Sequence, residues 1–146
     1  MATVALSAEV EAHRPFSAAR KAALVVEILV AYVRVRRLLR RSDLPSVVAT
    51  LRAPLPAHAA ASPGGVRLGR RLSHAVVRTL RVLPTDSRCL MRSLVLTALL
   101  AERGVSGSVV VSVTPGAEFS AHAWVEHLGV ELLPALGGQE RRLLEL

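Results

Sequence analysis

The spacing of apolar residues changes at Gly104, and this change constrains the fold more than any other feature of the sequence. Before Gly104, apolar residues recur every three or four positions, as they do in helices that bury one face. After it, residues 107–113 are rich in β-branched side chains and residues 120–127 alternate between two faces, both typical of strands. Helices followed by an antiparallel sheet predict an α+β fold.

The first half of the chain predicts three helices. Ser17 is a suitable cap for the first, which runs to about residue 41. Ser42 or Asp43 can cap a short second helix that has Pro45 in its first turn. The third helix is expected at about residues 66–82. Residues near the buried face of the first helix are expected to be Leu24, Ile28, Ala31 and Leu38 or Leu39, and the apolar stripe of the third is formed by Leu68, Leu72, Ala75, Val76 and Leu80.

Composition shifts divide the chain into three regions within one compact domain. Residues 1–15 are expected to be a loose N-terminal tail, residues 16–65 a helical segment with its linker, and residues 66–146 the core. The linker is placed at residues 52–65 because that stretch contains three prolines and two glycines. At 146 residues the chain can bury one substantial core.

The basic charge and the single cysteine limit the class of protein. A net charge of +8 favours acidic partners, but no helix-turn-helix, zinc-finger or aromatic-basic RNA-binding pattern is present, so nucleic-acid binding is not expected. Arginine supplies all but one of the 19 basic residues. One cysteine excludes an internal disulfide, and no Cys/His spacing predicts a zinc site. A reducing, cytoplasmic location fits best.

The most apolar stretch, residues 22–33, is too short to span a membrane, for which about 20 residues are needed. A buried helix is the preferred interpretation, and a helix on a membrane surface is the alternative. Membrane association is not expected. The polar side of the third helix carries Arg67, Arg70, Arg71, His74, Arg78 and Arg81. This side is either a solvated surface or a docking surface for an acidic peptide or protein.

The fourth helix begins beside the only cysteine. Pro84 ends the preceding helix, Thr85 or Asp86 can cap the next, and Gly104 can stop it, which leaves Cys89 in the first turn. A thiol reacts as the thiolate, which the positive end of a helix and a nearby imidazolium both favour. His122, on the predicted strand, could supply the imidazole. A small buried hydrophobe is the alternative role for Cys89.

Two segments, PTDSRCLMRSLVLTALLAERGV and GAEFSAHAWVEHLGVELLP, resemble the stand-alone transglutaminase-like cysteine proteases of lasso-peptide biosynthesis. The resemblance is strong over residues 84–134 and weaker in the helical N-terminal half. It implies a papain/transglutaminase-like core in which Cys89 is the nucleophile and His122 the general base and acid. It implies chemistry that needs no metal or organic cofactor.

The resemblance also implies a biological role and partners. Such proteases remove the leader from a ribosomally made precursor peptide that a separate leader-recognition protein binds. An asparagine-synthetase-like cyclase then closes a macrolactam. Two other functions stay open: an acyltransferase or transglutaminase that uses the same Cys-His pair, and a non-catalytic, Arg-rich adaptor that binds a precursor or partner protein.

The third catalytic group is where this sequence departs from the family pattern. Many relatives carry Asp twelve residues after the histidine, where this chain has Pro134. Glu126 shares the face of His122, but four strand residues separate them by about 13 Å. A two-residue turn that pairs His127 with Val130 sets Glu131 opposite Glu126, equally far away. The expected unit is therefore a dyad, with the imidazole oriented by a backbone carbonyl or by a polar group outside the hairpin.

Several other residues have two interpretations. Asp86 is either a helix cap or the missing acid, and Trp124 either shields the catalytic pair or fills the sheet core. Arg92 and Ser93, one turn after Cys89, satisfy nearby backbone groups or, for Ser93, help to position substrate. The remaining histidines are expected at the surface: His13, His58, His74 and His127.

Overall fold

The computed structural model describes residues 17–53, 63–84, 88–114, 120–133 and 141–146. These residues form four helices and one four-stranded sheet, which confirms the predicted α+β fold. The elements are α1 (Ala18–Leu39), α2 (Leu44–Arg52), α3 (Pro63–Leu80), α4 (Arg88–Ala101), β1 (Ser108–Thr114), β2 (Ser120–His127), β3 (Val130–Glu131) and β4 (Arg141–Glu145).

Local side-chain chemistry fixes the ends of three helices at the positions that the sequence predicts. The Ser17 hydroxyl accepts a hydrogen bond from the backbone N–H of Arg20 and caps α1. Asp43 caps α2 by accepting from both the backbone and the hydroxyl of Ser46, and these hydrogen bonds lower the pKa of its carboxyl. Gly104, at a positive φ of 71°, ends α4.

The end of α4 is a Schellman motif. The N–H of Val105 bonds to the carbonyl of Leu100, and the N–H of Gly104 bonds to the carbonyl of Ala101. This pair of bonds reverses the chain within three residues and leads directly into β1. The helix and the first strand are therefore held in a fixed relation by backbone geometry.

The sheet is antiparallel throughout, with the strand order β3-β2-β1-β4. The β2–β3 hairpin pairs His127 with Val130 and Glu126 with Glu131, as predicted. Its two turn residues, Leu128 and Gly129, have φ values of 54° and 72°, as the tight turns of two-residue hairpins require. Strand β4, which pairs with the other edge of β1, was not predicted from the sequence.

Helix α4 is the centre of the molecule. It packs against all three other helices and along β2. From Ser93 to Ala101 every residue is buried, together with Met91. The predicted buried side of α1 is confirmed at Ile28 and Ala31, and that of α3 at Leu72, Val76 and Leu80.

Three structural expectations are wrong. The linker does not extend over all of residues 52–65, because Arg52 closes α2 and residues 63–65 form the first turn of α3. Proline fits the start of a helix, since the first helical N–H groups have no partner within the helix. The expected tail at residues 1–15 and the middle of the linker, residues 54–62, lie outside the described residues.

The second correction concerns α1, which is not a fully buried helix. Val25, Val26, Leu29, Val30 and Val33 are exposed on the side away from the core. Among the described residues, no helix has both the length and the apolar character that a membrane span requires.

His127 is also placed differently from the expectation of a surface residue. Its side chain is buried, and its Nδ1 lies 2.6 Å from the carbonyl oxygen of Ser106. A carbonyl only accepts, so Nδ1 carries the proton. On the other side of the ring, a Cβ on Gly65 would lie 2.5 Å from Nε2. Gly65 therefore allows α3 to approach the end of β2.

We expect Gly65→Ala to destabilise the protein by about 1–2 kcal/mol in chemical denaturation. Alanine normally stabilises a helix relative to glycine, but here the added methyl overlaps a buried ring that a hydrogen bond holds in place. The matched control is the same substitution in a His127→Ala background, where the loss from Gly65→Ala should be much smaller. Equal losses in both backgrounds would contradict this close contact.

Candidate active site

Cys89 is the second residue of α4 and lies half-buried at the exposed start of the central helix. The hydroxyl of Ser93 donates a 2.9 Å hydrogen bond to the carbonyl of Cys89. Ser93 is fully buried, so this bond fixes the backbone of the first turn. The local, backbone-satisfying role expected for Ser93 is confirmed. The proposed capping residues Thr85 and Asp86 lie outside the described residues.

His122 lies near the start of β2, and its imidazole is stacked on Trp124. The two ring centroids are 5.9 Å apart, with 25° between the ring planes. The indole N–H of Trp124 donates a 2.8 Å hydrogen bond to Glu126. The predicted shared face of these three residues is confirmed by this chain of contacts. The Glu126 carboxylate therefore helps to hold Trp124, on which the His122 ring is stacked.

Residues at the far ends of α4 and β2 show how the helix runs along the strand. A Cβ on Gly107 would lie 3.0 Å from Val125 and 3.3 Å from Leu100, so the last turn of α4 sits beside the end of β2. Because α4 packs along β2, we infer that its first turn lies toward the start of that strand. Cys89 and His122 consequently lie toward the same end of the helix–strand pair.

No hydrogen bond joins Cys89 to His122 within the described part of the chain. The Nε2 atom of His122 is buried and has no hydrogen-bond partner among the residues that the structure describes, and the same is true of Nε of Arg92, one turn after Cys89. A buried polar atom without a partner costs about 1–3 kcal/mol, and such atoms are rare in native proteins except at functional sites. Catalytic hydrogen bonds are often open in a free enzyme and tighten when substrate binds.

One polar residue beside His122 could not be identified from the sequence as part of the site. Ser112 lies directly opposite His122 in the β1–β2 pairing and is fully buried. Residues opposite each other in antiparallel strands share a face, with Cβ atoms about 5 Å apart. Which residue lies opposite His122 depends on the register of β1 and β2, and that register is known only from the structure. Arg92 carried no signal beyond its distance from Cys89 along the helix.

The two glutamates considered for a third catalytic group face each other in the β2–β3 hairpin. Glu126 is buried against Trp124, and Glu131 is exposed opposite it in β3. Pro134, at the position where relatives carry Asp, lies outside the described residues.

Of the other histidines, His74 is exposed as expected, while His13 and His58 also lie outside the described residues. Within the described ranges, no three His, Cys, Asp or Glu side chains are grouped as a metal site would require.

The reactivity of Cys89 provides a direct test of its pairing with His122. Since the chain has one cysteine, alkylation by iodoacetamide reports on this thiol alone. We expect His122→Ala to slow alkylation at neutral pH at least about tenfold, because a nearby imidazolium stabilises the thiolate. His74→Ala, on the exposed side of α3, is the control and should leave the rate unchanged. An unchanged rate in His122→Ala, with the fold intact by circular dichroism, would contradict the pairing.

Comparison with known proteins supports the class of site that this geometry suggests. The family model described as the transglutaminase-like superfamily matches residues 24–141, which include all four helices in part or whole and the strands β1 to β3. No curated protein and no solved structure matches the chain. This superfamily is generally cysteine-dependent and includes both peptidases and acyltransferases. The match spans most of the sequence, and the chain belongs to the transglutaminase-like superfamily.

Proposed function

We propose that the protein is a cysteine peptidase that removes the leader from a ribosomally made lasso-peptide precursor before macrolactam closure. The observation that carries the peptidase assignment is the buried Nε2 of His122, near the start of β2, which has no hydrogen-bond partner among the described residues. Superfamily membership supports cysteine-dependent chemistry. The choice of a lasso-peptide leader as substrate rests on the resemblance of the motifs around Cys89 and His122.

In the proposed reaction His122 takes the proton of the Cys89 thiol, and the sulfur attacks the scissile carbonyl. Collapse of the tetrahedral intermediate breaks the C–N bond, and His122 returns the proton to the leaving amine. A water molecule, deprotonated by His122, then hydrolyses the thioester and releases the leader with a new carboxylate. Backbone N–H groups in the first turn of α4 supply the natural site for the oxyanion.

The structure offers a way to orient the imidazole without an acid bonded to it. Stacking on Trp124 limits the tilt of the His122 ring, and the Glu126 carboxylate limits the rotation of Trp124. Ser112 is the polar residue opposite His122 on the neighbouring strand. We therefore propose a Cys89–His122 dyad that is positioned mainly by the sheet and its aromatic neighbour.

Three kinds of partner follow from this proposal. The precursor peptide is the substrate, a separate leader-recognition protein delivers it, and an asparagine-synthetase-like cyclase uses the released core peptide. The proposed scheme involves neither nucleic acid nor a membrane. We propose that the reaction takes place in the cytoplasm.

Cleavage by purified protein tests the peptidase assignment. With the leader-recognition protein and precursor from the same gene neighbourhood, wild-type protein should release one discrete leader fragment, detected by mass spectrometry. Cys89→Ala and His122→Ala should each abolish cleavage, while His74→Ala should not. Full cleavage by a folded Cys89→Ala variant would overturn the assignment.

The same assay separates hydrolysis from acyl transfer. In water enriched in ¹⁸O, hydrolysis places the label in the new carboxylate of the leader. An acyltransferase would instead form an amide when a primary amine is added as acceptor. Predominant amide formation at millimolar amine would favour the acyltransferase function over the peptidase.

The contribution of the nearby carboxylates is expected to be small. Glu126→Gln and Glu131→Gln should each reduce the cleavage rate less than about tenfold, which corresponds to about 1.4 kcal/mol in the barrier. Glutamine retains an oxygen that can accept from the Trp124 indole, and Glu131 is exposed. A larger loss is expected for Trp124→Ala, which removes the stacked ring. A thousandfold loss in either glutamine variant, with the fold preserved, would assign that carboxylate to the catalytic unit.

A further inference from the structure

Helix α1 has an apolar side that the fold leaves uncovered. Its buried residues, Ile28, Ala31, Tyr32 and Val35, face the core. On the opposite side, Val26 and Val30 are 59% and 63% exposed, and Val25, Leu29 and Val33 are exposed beside them. Scattered exposed apolar residues are ordinary, but a contiguous group of this kind marks an interaction surface.

The same side becomes basic toward the C-terminal end of the helix. At about 100° per residue, Arg36, Arg37 and Arg40 continue the line of the exposed valines. We call this combined surface the α1 face: Val25, Val26, Leu29, Val30, Val33, Arg36, Arg37 and Arg40. A groove of about 420 Å³ lies along part of it, lined by residues that include Leu29 and Val33 at one end and Arg37 and Arg41 at the other.

The nearby acidic residues do not neutralise the arginines of this face. Glu27 pairs with Arg103, and Glu102 lies 3.7 Å from Arg34, so both link α1 to the end of α4. In the described parts of the chain, no ion pair involves Arg36, Arg37 or Arg40. Their charge is therefore available to carboxylates of another molecule.

The layout of the face specifies the chemistry of its partner. With a rise of about 1.5 Å per residue, the apolar part from Val25 to Val33 covers about 12 Å, and the basic part follows at one end of it. A matching segment has apolar side chains at one end and carboxylates about 12 Å further along. Such a segment buries the valines while its acids meet the arginines.

Two other occupants fit the face less well. A second copy of α1 would bring arginines with no acid on the face to receive them, whether the helices ran parallel or antiparallel. A helix that lies in a membrane surface presents an apolar side along its length, often with Trp, Phe or Leu. The α1 face has no aromatic residue and a single leucine, and its apolar and basic parts follow one another along the axis.

We propose that the α1 face is the docking surface for a protein partner that carries an apolar segment followed by acidic residues. This inference rests on the proposed function in one respect: the partner it assigns to the face is the protein that delivers the precursor. The docking surface is on α1, whereas the candidate active site is at the start of α4 and β2. Binding and catalysis can consequently be disrupted separately.

The experiment measures binding of the leader-recognition protein, with its precursor bound, to the Cys89→Ala protein by isothermal titration calorimetry. Val26→Asp/Val30→Asp should weaken binding at least tenfold at any salt concentration. Arg37→Glu/Arg40→Glu should weaken it at least tenfold at low salt and less at high salt, because ions screen exposed charges. Circular dichroism should show unchanged folding, since all four positions are exposed.

Matched controls place the same chemical changes elsewhere on the surface. Val82→Asp introduces an acid at a valine that is 80% exposed after α3, and Arg20→Glu/Lys21→Glu reverses two exposed charges in the first turn of α1, on sides of the helix away from the α1 face. Both should keep the affinity within threefold of the parent. Equal losses in the controls, or unchanged affinity in both α1 variants, would overturn the proposal and leave the peptidase assignment intact.

Three further outcomes distinguish the alternatives. If the α1 variants lose binding although wild-type protein does not cleave, docking stands and the proposed function fails. If Val26→Asp/Val30→Asp converts a dimer to a monomer in light scattering, the face joins two copies of this chain and the proposal is wrong. If it abolishes binding to phosphatidylglycerol vesicles while partner affinity is retained, the face binds lipid and the proposal is again wrong.

Discussion

The complete burial of α4 is the constraint to which the other elements conform. From Ser93 to Ala101 this helix has no side facing solvent, so three helices and β2 must each supply part of its covering. The Schellman motif at Gly104 then fixes where β1 begins relative to the helix. Only the first turn of α4 extends beyond this enclosure. A reactive group in that turn combines a rigid support with access to a substrate.

The environment of His122 depends on sheet register as much as on its own position. Pairing of β1 with β2 places Ser112 opposite the histidine, and alternation along β2 places Trp124 and Glu126 in line with it. A shift of one residue in the β1–β2 register would place a different β1 residue opposite His122 in place of Ser112. At the end of β2, the buried His127 lies against Gly65 of α3 and so fixes the strand beside that helix. Packing far from the cysteine thus supports the geometry of the candidate site.

Local signals in the sequence predicted most of the elements, because caps and turns act within a few residues. Ser17, Asp43, Gly104 and the Leu128-Gly129 turn all mark real boundaries.

What the sequence did not predict depends on distant partners. His127 is buried because α3 approaches closely at Gly65, and β4 forms against a strand about thirty residues earlier. The valines of α1 were expected to be buried because they are apolar, yet the core needs only one side of that helix. Residues 89 and 122 were identified by motif, whereas Ser112 required knowledge of the register.

The candidate site also lies within one continuous stretch, from α4 through β1 to β2. Cys89 and His122 are 33 residues apart in the chain, and closing a loop of that length costs about 1 kcal/mol less in entropy than closing one of about a hundred residues. Contacts of short sequence separation also form quickly during folding. The helix and strands that carry the two residues can therefore assemble before the N-terminal helices are in place. The order of elements along the chain therefore favours early formation of the site during folding, and we expect the N-terminal helices to stabilise it afterwards.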